Sequence, residues 1–307
     1  MNSSRETVAP RTSAANKRSR LRAGLTSSDP CVAVGAHDAM SAMLIERAGF
    51  DVVWVSGFGV STMAFGLPDL NLVTMSETLE AAVRIDRATN LPVLVDCDNG
   101  FGGFTNVLRT IAEFERAGLS GVCIEDNLFP KRNSLYQGAA RRELIEVGEQ
   151  ARRIKAAKEH QVDPEFVVVA RVEALIAGHG VEAAMERAGA YADAGADAVL
   201  IHSKDKTLQE IEAFLAAWSA AGSTTPLVAV PTLFPDFTAR ELRDKGFSLV
   251  ILANHPMRAA VQAMEDVLEK LSVEGKAAAA DPSIAPVDHV FQLVRTQETI
   301  EAEDSVG

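Results

Sequence analysis

Residues 92–126 read PVLVDCDNGFGGFTNVLRTIAEFERAGLSGVCIED, and the reading of this stretch decides the fold. The apolar run Val93–Val95 has the length of a buried strand and ends in two acids, Asp96 and Asp98. A glycine-rich loop follows. Val107, Ile111 and Phe114 then recur at the spacing of one helical face. Ala117-Gly118 stops that helix, because glycine enters the left-handed conformation without a Cβ penalty. A second apolar run, Val122–Ile124, again ends in acids, Glu125 and Asp126. The stretch is one strand–helix–strand unit.

The same unit repeats from Cys31 onward. The candidate strands are CVAVGA, DVVWVSG, PVLVDCD, GVCIED, FVVVARV, AVLIHS, LVAVPT and SLVILAN. Amphipathic segments such as SAMLIERAG and VEAAMERAGAYADAG lie between them, and several end in Ala-Gly. Near-continuous Val/Ile/Leu strands suit a parallel sheet covered on both faces. Eight of them alternating with helices over about 250 residues fit an α/β fold of the (β/α)8 TIM-type barrel, with a C-terminal helical extension. A doubly wound sheet is the alternative, but no GxGxxG follows a strand. The barrel also accounts for polar residues at the strand ends, the rim from which such barrels draw their catalytic groups. The chain divides into a disordered basic tail (1–22), a barrel (23–271), and a linker with a C-terminal helical segment (272–307).

A net charge of -12 argues against nucleic acid as a partner. No apolar run reaches the length of a membrane span, and no secretory h-region opens the chain. Three cysteines, Cys31, Cys97 and Cys123, lack CxxC spacing. They suit a reducing, cytoplasmic setting and neither a disulfide framework nor a zinc site.

The rim residues carry the chemistry. Asp96 and Asp98 are two apart, so both carboxylates can enter one pocket. With Glu125 on the next strand they suit a hard divalent ion, Mg²⁺ by default. Capping or pairing with arginine is the plainer role for any one of them. Arg171 ends FVVVAR and suits bidentate capture of phosphate or carboxylate; a structural pair with Glu173 is its alternative. His202 can be a phosphate donor, a base or a buried hydrogen-bonded histidine. Ser56-Gly57 offers donors for an enolate oxygen, or is a plain turn. Asp69 sits in a Pro-Asp turn.

These residues, in this order, resemble the phosphoenolpyruvate mutase/isocitrate lyase superfamily over nearly the whole chain. The loop EDNLFPKRNS, residues 125–134, is similar to the EDK…FPK…NS loop of the phosphoenolpyruvate phosphomutase family. ARVEALIAGHG, AGADAVLIHSK, ANHPMRAAV and FQLVRTQETIEAED are similar to segments of that family too. The resemblance implies interconversion of phosphoenolpyruvate and 3-phosphonopyruvate through pyruvate enolate and a metaphosphate-like group. It implies that Asp96 is the main Mg²⁺ contact, with Asp98 and Glu125 holding its waters. Ser56, Gly57 and Trp54 match the contacts to the substrate's carboxylate and enolate. Arg171 and His202 match residues that grip the phosphoryl group. Lys131, Asn133 and Ser134 match a loop that closes over it, and Asp69 an acid near phosphorus. A homotetramer with an exchanged C-terminal helix is implied, as is coupling to a phosphonopyruvate decarboxylase in phosphonate biosynthesis.

Two positions depart from the pattern. Asn127 stands where the family has lysine, and Asn99 replaces threonine in DCDNGFGG. A variant mutase with an altered substrate is one consequence. Phosphonopyruvate hydrolase shares the barrel and acids, but its loop carries Thr-Ser where this chain has Asn133-Ser134. Carbon–carbon lyases of the superfamily use a cysteine that FPKRNS lacks. A non-catalytic barrel predicts a gutted acid cluster, and this cluster is complete.

Overall fold

The computed structural model describes residues 12–136 and 143–305. Eight strands are present: β1 (Cys31–Ala36), β2 (Val52–Val55), β3 (Val93–Asp96), β4 (Gly121–Glu125), β5 (Val167–Val172), β6 (Ala198–Ile201), β7 (Leu227–Ala229) and β8 (Phe247–Leu252). They pair in parallel in chain order, and β8 closes on β1. The expected (β/α)8 barrel is therefore the fold, with helices after the barrel.

Side-chain alternation builds two apolar layers. Trp54, Leu94, Cys123, Val169, Leu200 and Ile251 fill the barrel interior. Their neighbours Val53, Val95, Val122 and Ile124 face outward, where Ile85, Ile111 and Phe114 of the helices cover them. On the other half Val199 and Ala229 meet Tyr191, Phe214 and Trp218 in the same way. Gly118 and Gly195 stop their helices at φ 92° and 97°, as the Ala-Gly pairs predict. Gly35 is needed for a different reason: a Cβ there would lie 2.0 Å from the Ala253 carbonyl oxygen.

The disordered tail expected over residues 1–22 is corrected for the part described. Ala14–Thr26 is a helix capped by Ser13, and Leu21 and Leu25 join the barrel-interior cluster. Three of its four basic residues pair with acids: Lys17 Nζ to Asp86 at 2.7 Å, Arg18 to Asp163 at 2.6 Å, Arg22 to Asp197 at 2.9 Å. Those acids are remote in sequence, so composition alone makes the segment look like a solvated tail. Residues 1–11 of that tail lie outside the described residues.

A first compact unit runs to His255 and a second begins at Pro256. The barrel limit expected at residue 271 thus falls inside the helix His255–Glu274. The second unit continues through two short 3-10 turns to helices Val287–Leu293 and Thr296–Asp304. Leu268, Val273, Val287 and Phe291 on it are exposed. No described helix is long and apolar enough to cross a membrane.

Candidate active site

Strand alternation decides which rim residues meet. On β2 to β6 the interior-facing positions continue past the apolar core as Ser56, Asp96, Glu125, Arg171 and His202, all of which line one cavity. Trp54 forms part of its floor, and Asp69 joins from the segment after β2. The register places Glu125 of β4 opposite Arg171 of β5, with Arg171 Nε 3.5 Å from Glu125 Oε2. Asp126, one residue further on, faces the other way. Its carboxylate accepts from Arg187 at 2.9 Å, Tyr191 at 2.8 Å and the Glu173 N–H at 2.9 Å. It anchors the helix layer and is no part of the cavity.

The loop after β4 covers this cavity. Lys131 Nζ lies 2.8 Å from Asp69 Oδ1 and also binds Asp98 Oδ1. Asn133 Nδ2 donates to Asp69 Oδ2 at 2.7 Å. Ser134 Oγ donates to Glu173 Oε2 at 2.9 Å and accepts from Arg171 Nη2 at 2.7 Å. Lys131 is therefore only 4% exposed, and the loop is shut. Burial disfavours the Lys131 ammonium, but Asp98 and Asp69 beside it hold its pKa well above the ordinary lysine value.

Arg171 makes the structural pair with Glu173. Its Nε binds Glu173 Oε1 at 2.5 Å, and its other edge reaches Ser134 and His202. Glu173, a residue given no site role from sequence, is fully buried as the guanidinium's clamp. Burial opposes its charge, yet Arg171 and His202 keep its pKa below the usual carboxylate value. Arg171 Nη2 lies 3.3 Å from His202 Nδ1. A guanidinium only donates, so a hydrogen bond between the two requires Nδ1 to accept.

Ser56 caps the helix Gly57–Phe65, its Oγ accepting from the Gly59 N–H at 3.1 Å. The plain turn is thus a helix start that keeps the hydroxyl proton available. Asn127, the departure from the family loop, is buried and donates to Glu125 Oε1 at 3.1 Å. A neutral amide there orients the carboxylate without neutralising it. Asn71, Asn254 and Thr232 also belong to this region. The last two line the cavity, and Asn71 ties the loop to Asp98. Asn254 and Thr232 stand at strand ends, so their position was legible, but neither amide nor hydroxyl signals a role by type. Asn71 lies in an ordinary-looking turn and left no signal.

The acids crowd. Asp69, Asp96, Asp98, Glu125 and Glu173 gather around Lys131 and Arg171. Burial first, then neighbouring acids acting against Lys131, pushes Asp98 up to about 7. Burial, partly offset by Arg171 and Lys131, pushes Glu125 up to about 8. A divalent cation would relieve that excess of negative charge. Gly57 keeps room for one: a Cβ there would stand 3.2 Å from Asp96 Oδ2 and 3.3 Å from Asp98 Oδ1. Among the described residues, no group of three or more His, Cys, Asp or Glu side chains is gathered so as to hold a metal ion by itself. The donor set fits an ion held by few carboxylates and several waters, the habit of Mg²⁺. The three cysteines are buried, and burial raises every thiol pKa, that of Cys31 to about 12, so none serves as a nucleophile here.

Residues 21–272 match the family described as phosphoenolpyruvate phosphomutase. The chain belongs to that family. Phosphoenolpyruvate phosphomutase of Tetrahymena pyriformis is 39% identical over 95% of this chain and 95% of its own. The crystal structure of phosphoenolpyruvate phosphomutase from Streptomyces platensis subsp. rosaceus superposes with TM-score 0.90 at 42% identity, covering 94% of this chain and 98% of that one. Phosphonopyruvate hydrolase in complex with oxalate and Mg²⁺ gives TM-score 0.86 at 37% identity, covering 94% and 98%. Lyases named for 2,3-dimethylmalate and 2-methylisocitrate match as well. This member of the phosphomutase family is thus an enzyme of the mutase kind.

Proposed function

We propose that the chain interconverts phosphoenolpyruvate and 3-phosphonopyruvate, with Mg²⁺ as its metal. The observation that carries the reading is the double seal on Asp69. Lys131 holds one carboxylate oxygen at 2.8 Å and Asn133 the other at 2.7 Å. A phosphoryl group freed beneath that seal meets carbon before it meets water. The hydrolase loop, with threonine for Asn133, lacks an amide to close the second oxygen.

Breaking the P–O bond leaves its electron pair on the enolate oxygen. C3 of the same molecule then bonds phosphorus, so no atom enters or leaves. Arg171 and His202 grip the phosphoryl oxygens, and Lys131 adds its charge as the loop shuts. Ser56 and the N–H at the start of its helix hold the pyruvate end against Trp54. Bound Mg²⁺, with Asp96 as its principal ligand and Asp98 and Glu125 beside it, would stabilise the enolate charge.

Phosphorus NMR with Mg²⁺ and phosphonopyruvate tests the proposal. Phosphoenolpyruvate is the expected product; phosphate with pyruvate marks a hydrolase instead. The P–C product is the less stable side, so a decarboxylase acting on phosphonopyruvate would draw the reaction toward phosphonates. Exposed Leu268, Val273, Val287 and Phe291 support assembly through the C-terminal unit, as in a helix-exchanged tetramer. Free, buried thiols support a cytoplasmic setting.

A further inference from the structure

We propose that Asn71 is the latch of the active-site loop, holding the backbone of Lys131 and the carboxylate of Asp98 with the two ends of one amide. This deepens the reading above, in which the loop opens and shuts for substrate. The Lys131 N–H donates to Asn71 Oδ1 at 2.5 Å. Asn71 Nδ2 donates to Asp98 Oδ2 at 2.8 Å. Asn99 Nδ2 makes a longer contact, 3.4 Å, to the same Oδ1.

An amide satisfies both partners. The loop offers a donor and Asp98 offers an acceptor, so the side chain between them must accept at one end and donate at the other. Leucine does neither, and a carboxylate does only the first. The backbone is fitted to the task as well. Asn71 sits at φ 58°, a left-handed conformation that asparagine tolerates better than most residues.

The latch acts on the loop's main chain, whereas Asp69 acts on its side chains. Asp69, two residues earlier, takes Lys131 Nζ and Asn133 Nδ2. Segment 69–71 therefore grips loop residues 131–133 at three points. Asn71 alone also touches Asp98, and the contact does not depend on the loop. When the loop lifts, Lys131 leaves Asp98 but Asn71 stays, so the carboxylate keeps its orientation for the next closure. Asn71 touches no reacting atom in this scheme; it is a positioning residue.

The loop carries its own reporter. The bonds following Lys131 and Arg132 are trypsin sites, and Lys131 is buried while the loop is shut. Cleavage at these bonds, mapped by mass spectrometry on the metal-free, substrate-free protein, reads loop opening without reference to any activity. Asn71→Gly keeps the left-handed backbone and removes both contacts; cleavage should accelerate about tenfold. Asn71→Asp keeps an acceptor for Lys131 but sets a second carboxylate against Asp98, so it serves one partner only; cleavage should rise at least threefold. Equal rates for wild type and Asn71→Gly overturn the proposal, and so does Asn71→Asp cleaving no faster than wild type. Should Asn71→Gly fail to fold by circular dichroism, Asn71→Asp decides: a rise of threefold or more supports the latch, and the wild-type rate overturns it. In turnover, Asn71→Gly should divert at least a tenfold larger share of phosphonopyruvate to phosphate and pyruvate. If wild type makes no phosphoenolpyruvate, the functional reading fails while the trypsin result still judges the latch.

Discussion

Replacing Lys131 with methionine removes one charge and keeps most of the side-chain volume. Its ammonium stands 2.8 Å from Asp69 Oδ1 and also binds Asp98. At an effective dielectric near 20 a contact of that length is worth about 6 kcal/mol before desolvation is subtracted. Breaking a buried pair by removing one partner costs about 3–5 kcal/mol. The low end applies, about 3 kcal/mol, because Asn133 still serves Asp69 and Asn71 still serves Asp98. In the proposed mechanism two contributions vanish together, the seal and a cation on the phosphoryl group. Removing one preorganised donor of this sort lowers kcat about 10²–10³-fold, and we expect Lys131→Met to reach the upper figure. The assay is phosphorus NMR of phosphonopyruvate turnover at saturating Mg²⁺, beside Asp69→Asn and the double variant. Since both residues act through one contact, the double variant should be little worse than Lys131→Met, with a coupling of about 1–3 kcal/mol. Full turnover by Lys131→Met, or strict additivity in the cycle, refutes the reasoning.

Gly57→Ala should leave the fold intact but raise the Mg²⁺ concentration for half-activation at least tenfold, because its Cβ crowds Asp96 and Asp98 at 3.2 and 3.3 Å; an unchanged activation curve counts against a metal there. Arg187→Met should lower stability by about 3 kcal/mol in urea unfolding by stranding buried Asp126. It should keep kcat within threefold, since that pair faces the helix layer; a collapse of kcat in the folded variant contradicts that assignment. The pH dependence has a definite sign. Asp98 at about 7 and Glu125 at about 8 lie above their unfolded values, so the folded state binds their protons more tightly. Their contribution to stability is complete below their unfolded pKa values and lost as pH rises through 7 and 8. The metal-free protein should melt at a lower temperature at pH 8.5 than at pH 6, and Mg²⁺ should reduce the difference. A melting temperature that rises over that range is the contrary result.

Some of the site was legible because its information is local. Period-two alternation alone brings Asp96, Glu125, Arg171 and His202 to one end of the barrel, and the Ala-Gly stops locate the helices that make the strands parallel. The helix Ala14–Thr26 was not legible. Lys17, Arg18 and Arg22 look like a solvated tail until Asp86, Asp163 and Asp197 are brought to them. Asp126 was equally opaque, an acid beside an acid in sequence whose side chain the strand turns away from its neighbour. Asn71 was missed because a polar turn residue carries no mark of what it will touch.

The order of residues along the chain thus determined the barrel, the acidic rim and the family loop, since each depends on spacing within one element or between adjacent ones. Only the folded chain decided which acids share a cation, which face the helices, and that one asparagine spans the loop and the floor. Those outcomes depend on contacts between segments tens of residues apart, such as Asn71 with Lys131 and Ser134 with Glu173. Their energies exist only once burial has removed the water that would otherwise satisfy each group.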